Sequence, residues 1–187
     1  MAENSDNQLV AEALSGDKKS LEVLLSRYLK PVYGFVYRMT EGSHDTEDVV
    51  QEAFLKVWKK LKSFDRDKSF KVWIFAIAKN TALDFLRKKQ PASFAEFEND
   101  EGKNWIEETF EDSAPLPSEL FERKQLKKEL ETAMGKLSPK SRMAILLHYQ
   151  DHLTFNEIGE VLGEPLHTVK SRHHRALIAL KGYLSNK

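Results

Sequence analysis

Residues 153–176, LTFNEIGEVLGEPLHTVKSRHHRA, decide the fold. Thr154 with Glu157 three residues later is a capping box, placed ahead of Ile158, Val161 and Leu162 on one helical face. Gly163 supplies a helix stop, and a second helix is expected from about Pro165 to Leu184 with Val169, Ala176, Leu177 and Leu180 on its inner face. A short capped helix, a tight glycine turn and a basic helix together make a helix-turn-helix. The outer face then holds His167, Thr168, Lys170, Ser171, Arg172, His174 and Arg175, and from Pro165 onward there are five Lys and Arg and no acid. Major-groove recognition sets Arg, Lys, Ser and Thr donors near the start of the second helix against base edges and phosphates. A helix without internal acids faces that polyanion unneutralised. The alternative is a solvated basic face on an ordinary helical bundle. If Arg172 reads a base, its truncation to Ala costs about 1–3 kcal/mol of duplex affinity and alters sequence preference.

Working outward, Leu126, Leu130, Ala133, Met134 and Leu137 recur as one helical face, and Ser138-Pro139 is an N-cap followed by proline at the first helical position. The next helix runs through Met143, Leu146 and Leu147. Upstream of these, residues 91–118 mix Pro, Ser, Asn, Gly and acid without helical period, which predicts a flexible linker. Its aromatics Phe94, Phe97, Trp105 and Phe110 suit docking on a partner or folding back on a domain equally well.

In the first half, Leu21, Leu24, Leu25, Tyr28, Val32, Val36 and Met39 mark a helix that Pro31 is expected to kink or interrupt. A second helix carries Val49, Val50, Ala53, Phe54, Val57, Trp58 and Leu61 inward and Asp48, Gln51, Glu52, Lys56 and Lys59 outward. A third is expected to bury Phe70, Trp73, Ile74, Ile77, Ala78 and Phe85 and to expose Lys71, Lys79, Asn80, Asp84, Arg87 and Lys88. Its basic rim beside the loop Ser63–Ser69 suits single strands, whose bases stack on apolar platforms while cations track the backbone. The aromatics Phe70, Trp73 and Phe75 read more simply as core.

The chain of 187 residues has a formal net charge of zero, but the charge is unevenly placed. Residues 1–90 hold 16 Lys and Arg against 13 acids, 91–119 hold 1 against 9, and 120–187 hold 12 against 7. Two basic ends thus flank an acidic middle. Cysteine is absent, which excludes disulfides, thiolate metal sites and cysteine nucleophiles. No apolar run is long enough to span a membrane and the first residues lack a signal-peptide layout, so a cytosolic chain is expected. His148 and His152 have the spacing of two metal ligands, but no third ligand or HExxH pattern accompanies them. No phosphate loop, nucleophile elbow or triad spacing appears, so neither catalysis nor a cofactor is expected.

Three stretches in order, DTEDVVQEAFLKVWKKLKSF, FKVWIFAIAKNTALDFLRKK and LTFNEIGEVLGEPLHTVKSRHHRA, resemble regions 2.2, 2.3–2.4 and 4.2 of bacterial RNA polymerase sigma factors of the extracytoplasmic-function (ECF) group. The resemblance implies an all-α fold of two small helical domains, residues 1–90 (region 2) and 119–187 (region 4), joined by the acidic linker 91–118. It implies a sigma factor that binds core RNA polymerase, directs promoter-specific recognition, DNA melting and initiation, and is held by an anti-sigma factor. Asp45, Asp48, Gln51, Glu52 and Lys56 would then face the beta-prime clamp helices. Lys68, Lys71, Lys79, Asn80, Asp84, Arg87 and Lys88 would lie at the minus-ten strand. Thr168, Lys170, Ser171, Arg172, His174 and Arg175 would meet the minus-thirty-five promoter DNA beside the beta flap. His167 stands where the group usually has glycine and His173 where it usually has an apolar residue, so altered turn geometry and helix packing are expected. A helix-turn-helix regulator acting alone, or a helical interaction module with incidental basic faces, are the other readings of the residues.

Overall fold

The computed structural model describes residues 4–89 and 124–185, which form eight α-helices and a short 3-10 turn at Leu61–Ser63. The helices are α1 (Asp6–Leu14), α2 (Lys18–Met39), α3 (Thr46–Lys60), α4 (Phe70–Lys89), α5 (Lys124–Gly135), α6 (Pro139–Tyr149), α7 (Phe155–Leu162) and α8 (Leu166–Ser185). The segment assigned to the linker, with Phe94, Phe97, Trp105 and Phe110, lies outside the described residues.

Helix α1 was not among the helices expected from the sequence. Ser5 caps it by accepting from the Gln8 amide, and Asp6 in its first turn receives Arg27 Nη1 at 2.5 Å and the Tyr28 hydroxyl. Burial and the Asp6 carboxylate together push the Tyr28 phenol well above its ordinary range, so it stays a donor. Polar anchors from α2 thus fix a helix whose own buried apolar residues are Leu9 and Val10.

Helix α2 runs unbroken through Pro31, so of the kink or interruption expected there the interruption does not occur. Proline costs a helix one backbone hydrogen bond and about 3 kcal/mol. Its ring here is exposed, and the opposite face is held by buried Leu24, Tyr28, Val32, Phe35, Val36 and Met39. Between α2 and α3, the Thr40 and Thr46 hydroxyls share a buried hydrogen bond of 2.7 Å that closes the corner.

Helix α4 is the centre. Phe70, Val72, Ile74, Phe75, Ile77, Ala78, Thr81 and Ala82 are buried, too many positions for a single face. One side meets α2 and α3, where Phe75 lies edge-on to Phe35 at 5.5 Å. The other side is covered by α7 of the second half, and α2 touches α6. The largest apolar cluster therefore crosses the chain's two halves, joining residues of α1–α4 to Met143, Leu147, Leu153, Ile158 and Val161. A smaller cluster of Leu130, Ala133, Leu137, Ile145, Ala176 and Leu180 comes from α5, α6 and α8 and the turn between α5 and α6. Lys71 and Lys79, expected outward, are consequently half-buried beneath the second half. Trp58, expected inward, is 58% exposed.

Phe75 has no exposed surface. Phe75→Ala is expected to destabilise the protein by about 3–5 kcal/mol, measured by urea unfolding, because both the ring and its packing around the new void are lost.

Candidate nucleic-acid and protein interfaces

The helix-turn-helix is built by α7 and α8. The Thr154 hydroxyl accepts from the Glu157 amide while the Glu157 carboxylate accepts from the Thr154 amide at 2.8 Å, which completes the expected capping box. Gly163 ends α7 in the left-handed conformation at φ +71°. A Cβ on Gly159 would stand 2.7 Å from the Glu164 backbone oxygen, so the turn closes on α7 only where that side chain is absent.

Glu164 follows the turn and accepts from Arg172 Nε and Nη2, each at 3.0 Å, with Lys140 Nζ at 3.4 Å. Arg172 is 3% exposed. The expected outward placement of Arg172 is thereby corrected. Its planar fork spans turn to recognition helix and fixes the angle between them, a use of guanidinium geometry that lysine could not copy. The residues of the expected set that remain accessible on α8 are exposed Lys170 and half-exposed Thr168, Ser171, His174 and Arg175. His173, in place of an apolar residue, packs as one: its ring lies 5.2 Å from His148, 5.0 Å from Phe155 and 5.6 Å from Tyr149. His148 also stacks on Phe155 at 4.6 Å, whereas His152 is exposed. No group of three metal-ligating side chains occurs among the described residues.

On α4, Asn80, Arg87 and Lys88 are reachable or partly so, with Lys68 on the exposed loop before the helix. Asp84 pairs with Arg87 one turn on. Asn7 ties α1 to the loop through the Arg66 carbonyl at 2.8 Å. Lys71 and Lys79 are separated from this set: the Lys71 ammonium donates to the Asp151 carbonyl, and Lys79 lies near Lys140 and Glu164. Burial and the Lys140 charge pull the Lys79 ammonium below its ordinary range.

Helix α3 presents Asp48, Gln51, Glu52, Leu55, Trp58 and Lys59 along its solvent side. Leu55 and Trp58 are 57% and 58% exposed, two large apolar groups among polar neighbours. Neither was expected on this face, although Trp58 is seven residues from Gln51 and Leu55 four, the spacing of one face. Lys56 is spent within the fold, bonding Glu52 at 2.8 Å and Thr81 of α4 at 3.2 Å. Asp45 stands apart from the stripe. It binds Lys89 at 2.8 Å and accepts from Ser43, and these bonds hold its carboxyl below the usual range.

Two helical units, one ending in a helix-turn-helix and one built around a cation-bearing helix, define a two-part DNA-binding architecture. Residues 24–92 match the family model of sigma-70 region 2, and residues 127–180 match that of sigma-70 region 4. The chain is 33% identical over 177 residues to the ECF RNA polymerase sigma factor SigW of Bacillus subtilis, covering 94% of each. It is 34% identical over 182 residues to the ECF RNA polymerase sigma-E factor of Escherichia coli K12, covering 94% of this chain and 92% of the relative. Among solved structures it is similar to CnrH in complex with the cytosolic domain of CnrY, with a TM-score of 0.71, 25% identity and 97% of each chain covered. It is similar also to the sigma factor RpoE in complex with the anti-sigma factor NepR from Bartonella quintana, with a TM-score of 0.67, 25% identity, and 90% and 99% of the two chains covered. The chain belongs to the ECF RNA polymerase sigma factors of the sigma-70 family.

Gly159→Ala is expected to destabilise the second half by about 1–3 kcal/mol, since the methyl must displace backbone. Thermal unfolding checks it, and an unchanged midpoint would reject the close-approach account.

Proposed function

We propose that this chain binds core RNA polymerase and directs it to a two-part promoter, opening the DNA without bond chemistry of its own. The observation that carries this is the occurrence, on one chain, of the region 2 and region 4 matches with a locked helix-turn-helix and a separate α4 cation set. The domains would be residues 1–90 and 119–187, with 91–118 as the acidic tether. The protein would act in the cytoplasm, and no described helix is long and apolar enough to cross a membrane.

Polymerase would dock on the α3 stripe. Asp48, Gln51 and Glu52 would supply polar contacts and Leu55 and Trp58 the desolvated centre, the pattern in which aromatic anchors dominate binding energy. Lys56 and Asp45 would act there mainly by holding α3 to α4. The minus-ten strand would meet Lys68, Lys71, Lys79, Asn80, Asp84, Arg87 and Lys88. Thr168, Lys170, Ser171, His174 and Arg175 would meet the minus-thirty-five duplex, with Arg172 as a positioning residue behind them. An anti-sigma factor as inhibitor is supported by the similarity to RpoE bound to NepR.

A run-off transcript made by core polymerase only when this protein is added tests the whole proposal; duplex binding without any effect on core would leave a regulator acting alone. Trp58→Ala is expected to weaken core binding at least ~5-fold while stability stays within about 0.5 kcal/mol, because the ring is exposed. Equal affinity would remove Trp58 from the interface. Lys170→Ala should weaken duplex binding across all sequences and lower the salt slope by about 1, as loss of a phosphate contact does. A loss confined to one sequence would make Lys170 a base reader.

A further inference from the structure

Two interleaved rows of side chains set the faces of α8. Val169, Arg172, His173 and Ala176 are buried, at the i, i+3, i+4, i+7 spacing of one helical face. Helix α8 packs on α5, α6 and α7 through this row. Displaced from it by two residues, about 200° around the helix, His167, Lys170, Ser171 and His174 repeat the same spacing on the outer side. His167 and Lys170 are exposed, and Ser171 and His174 are half-exposed. The turn still closes at Gly163, and His167, which the resemblance leaves out because glycine is usual there, enters as the second residue of α8. It stands one turn from Lys170 in the row that faces outward.

This row is short of permanent charge. Arg172 is taken up by Glu164 on the buried side, which leaves Lys170 in the row and Arg175 at its flank. Two of the row's four side chains are imidazoles, and no carboxylate occurs on α8. The ionisable groups on the elements packed against α8 are engaged elsewhere or lie in water. Glu164 in the turn holds Lys140 of α6 as well as Arg172, Glu157 of α7 closes the cap on Thr154, and Glu160 is exposed. On α6, Arg142 pairs with Glu41, and His148 and Tyr149 lie against His173. On α5, Glu131 faces Arg38 and Glu129 is half-buried, while Lys136 just beyond it lies over the Tyr183 ring at 5.0 Å.

Imidazole gains or loses its charge between about pH 5 and about pH 8, and an opposing phosphate favours the cation. A duplex seated on this row draws protons onto it, and each imidazolium adds one counterion-releasing contact to the one that Lys170 makes in either state. We propose that His167 is a further phosphate-contacting residue of the recognition helix and that, with His174, it makes duplex binding by this chain proton-linked. The proposal rests on the assignment of α8 to the minus-thirty-five duplex. Its sign follows from the charge: binding takes up protons, so affinity is greatest in mildly acid solution and falls as pH rises through the imidazole range. Charging the buried His173 would act in the opposite sense, loosening the seat of α8 and weakening binding in acid.

The affinity of the full chain for a mixed-sequence DNA duplex is measured against salt at about pH 6 and about pH 8. The unaltered protein should bind roughly 5- to 50-fold more tightly at the lower pH, with a salt slope steeper by about 1–2, the scale of one or two phosphate contacts. His167→Gln should remove about half of that difference on a logarithmic scale, and His167→Gln with His174→Gln nearly all of it. His167→Lys, a fixed cation at the same place, should raise the slope at about pH 8 by about 1. His44→Gln, at the exposed corner between α2 and α3, should leave the difference intact. A slope indifferent to pH while Lys170→Ala still lowers it overturns the proton linkage and leaves the duplex assignment standing. Tighter binding at the higher pH, or a difference that survives loss of both imidazoles, overturns the linkage as well. No duplex binding at either pH, or binding that Lys170→Ala does not alter, overturns the linkage together with the duplex assignment.

Discussion

The burial of α4 on two opposite sides is the constraint on which the rest of the architecture depends. A helix with eight buried positions out of twenty needs partners around most of its circumference, and α2 with α3 can supply only one flank. The second half supplies the other through α7. Once that contact is made, the fate of every cation on α4 follows from its angle: Arg87 and Lys88 at the free end stay in water, while Lys71 and Lys79 in the middle are drawn into the junction. Charge placement alone, read from the sequence, carries no information about which side a second domain will cover.

The Glu164–Arg172 pair shows the same competition between chemistry and position on a smaller scale. A guanidinium buried without a partner would cost several kcal/mol, and its bidentate carboxylate removes that cost while setting a fixed geometry. Such a pair contributes less to net stability than to defining one arrangement of turn and helix. The Gly159 close approach and the left-handed Gly163 act toward the same end from the other side of the turn. Backbone proximity, a conformational exception and an ion pair thus hold α8 in a single orientation relative to α7.

Much of this was legible in the sequence where a local rule decides the outcome. The capping box at Thr154, the glycine stop at Gly163, the Ser138-Pro139 start and the all-helical periodicity each depend on residues within a few positions of one another, and the structure has them where they were expected. What the sequence hid depends on tertiary context. Helix α1 is short, only nine residues, and is anchored by Asp6 to Arg27 and Tyr28, some twenty residues away. Trp58 carries no local signal distinguishing core from surface except its phase relative to Gln51. Arg172 was assigned outward as one of the residues left over by the face of Val169, Ala176, Leu177 and Leu180, although it stands three and four residues from Val169 and Ala176, and the partner that holds it inward is across a turn. His173 departs from the apolar residue usual at its position yet packs in a ring cluster with His148, Tyr149 and Phe155, so the altered chemistry leaves the helix seated.

The exposed indole of Trp58 has an optical consequence. Of the chain's three tryptophans, Trp73 is half-shielded within the aromatic cluster of Phe64 and Phe70, whereas Trp58 stands in solvent. Its emission therefore lies toward the red and is open to aqueous quenchers, and any macromolecule that seats on α3 withdraws it from water. Without dye or tag, the protein carries a built-in colour signal on the solvent face of α3.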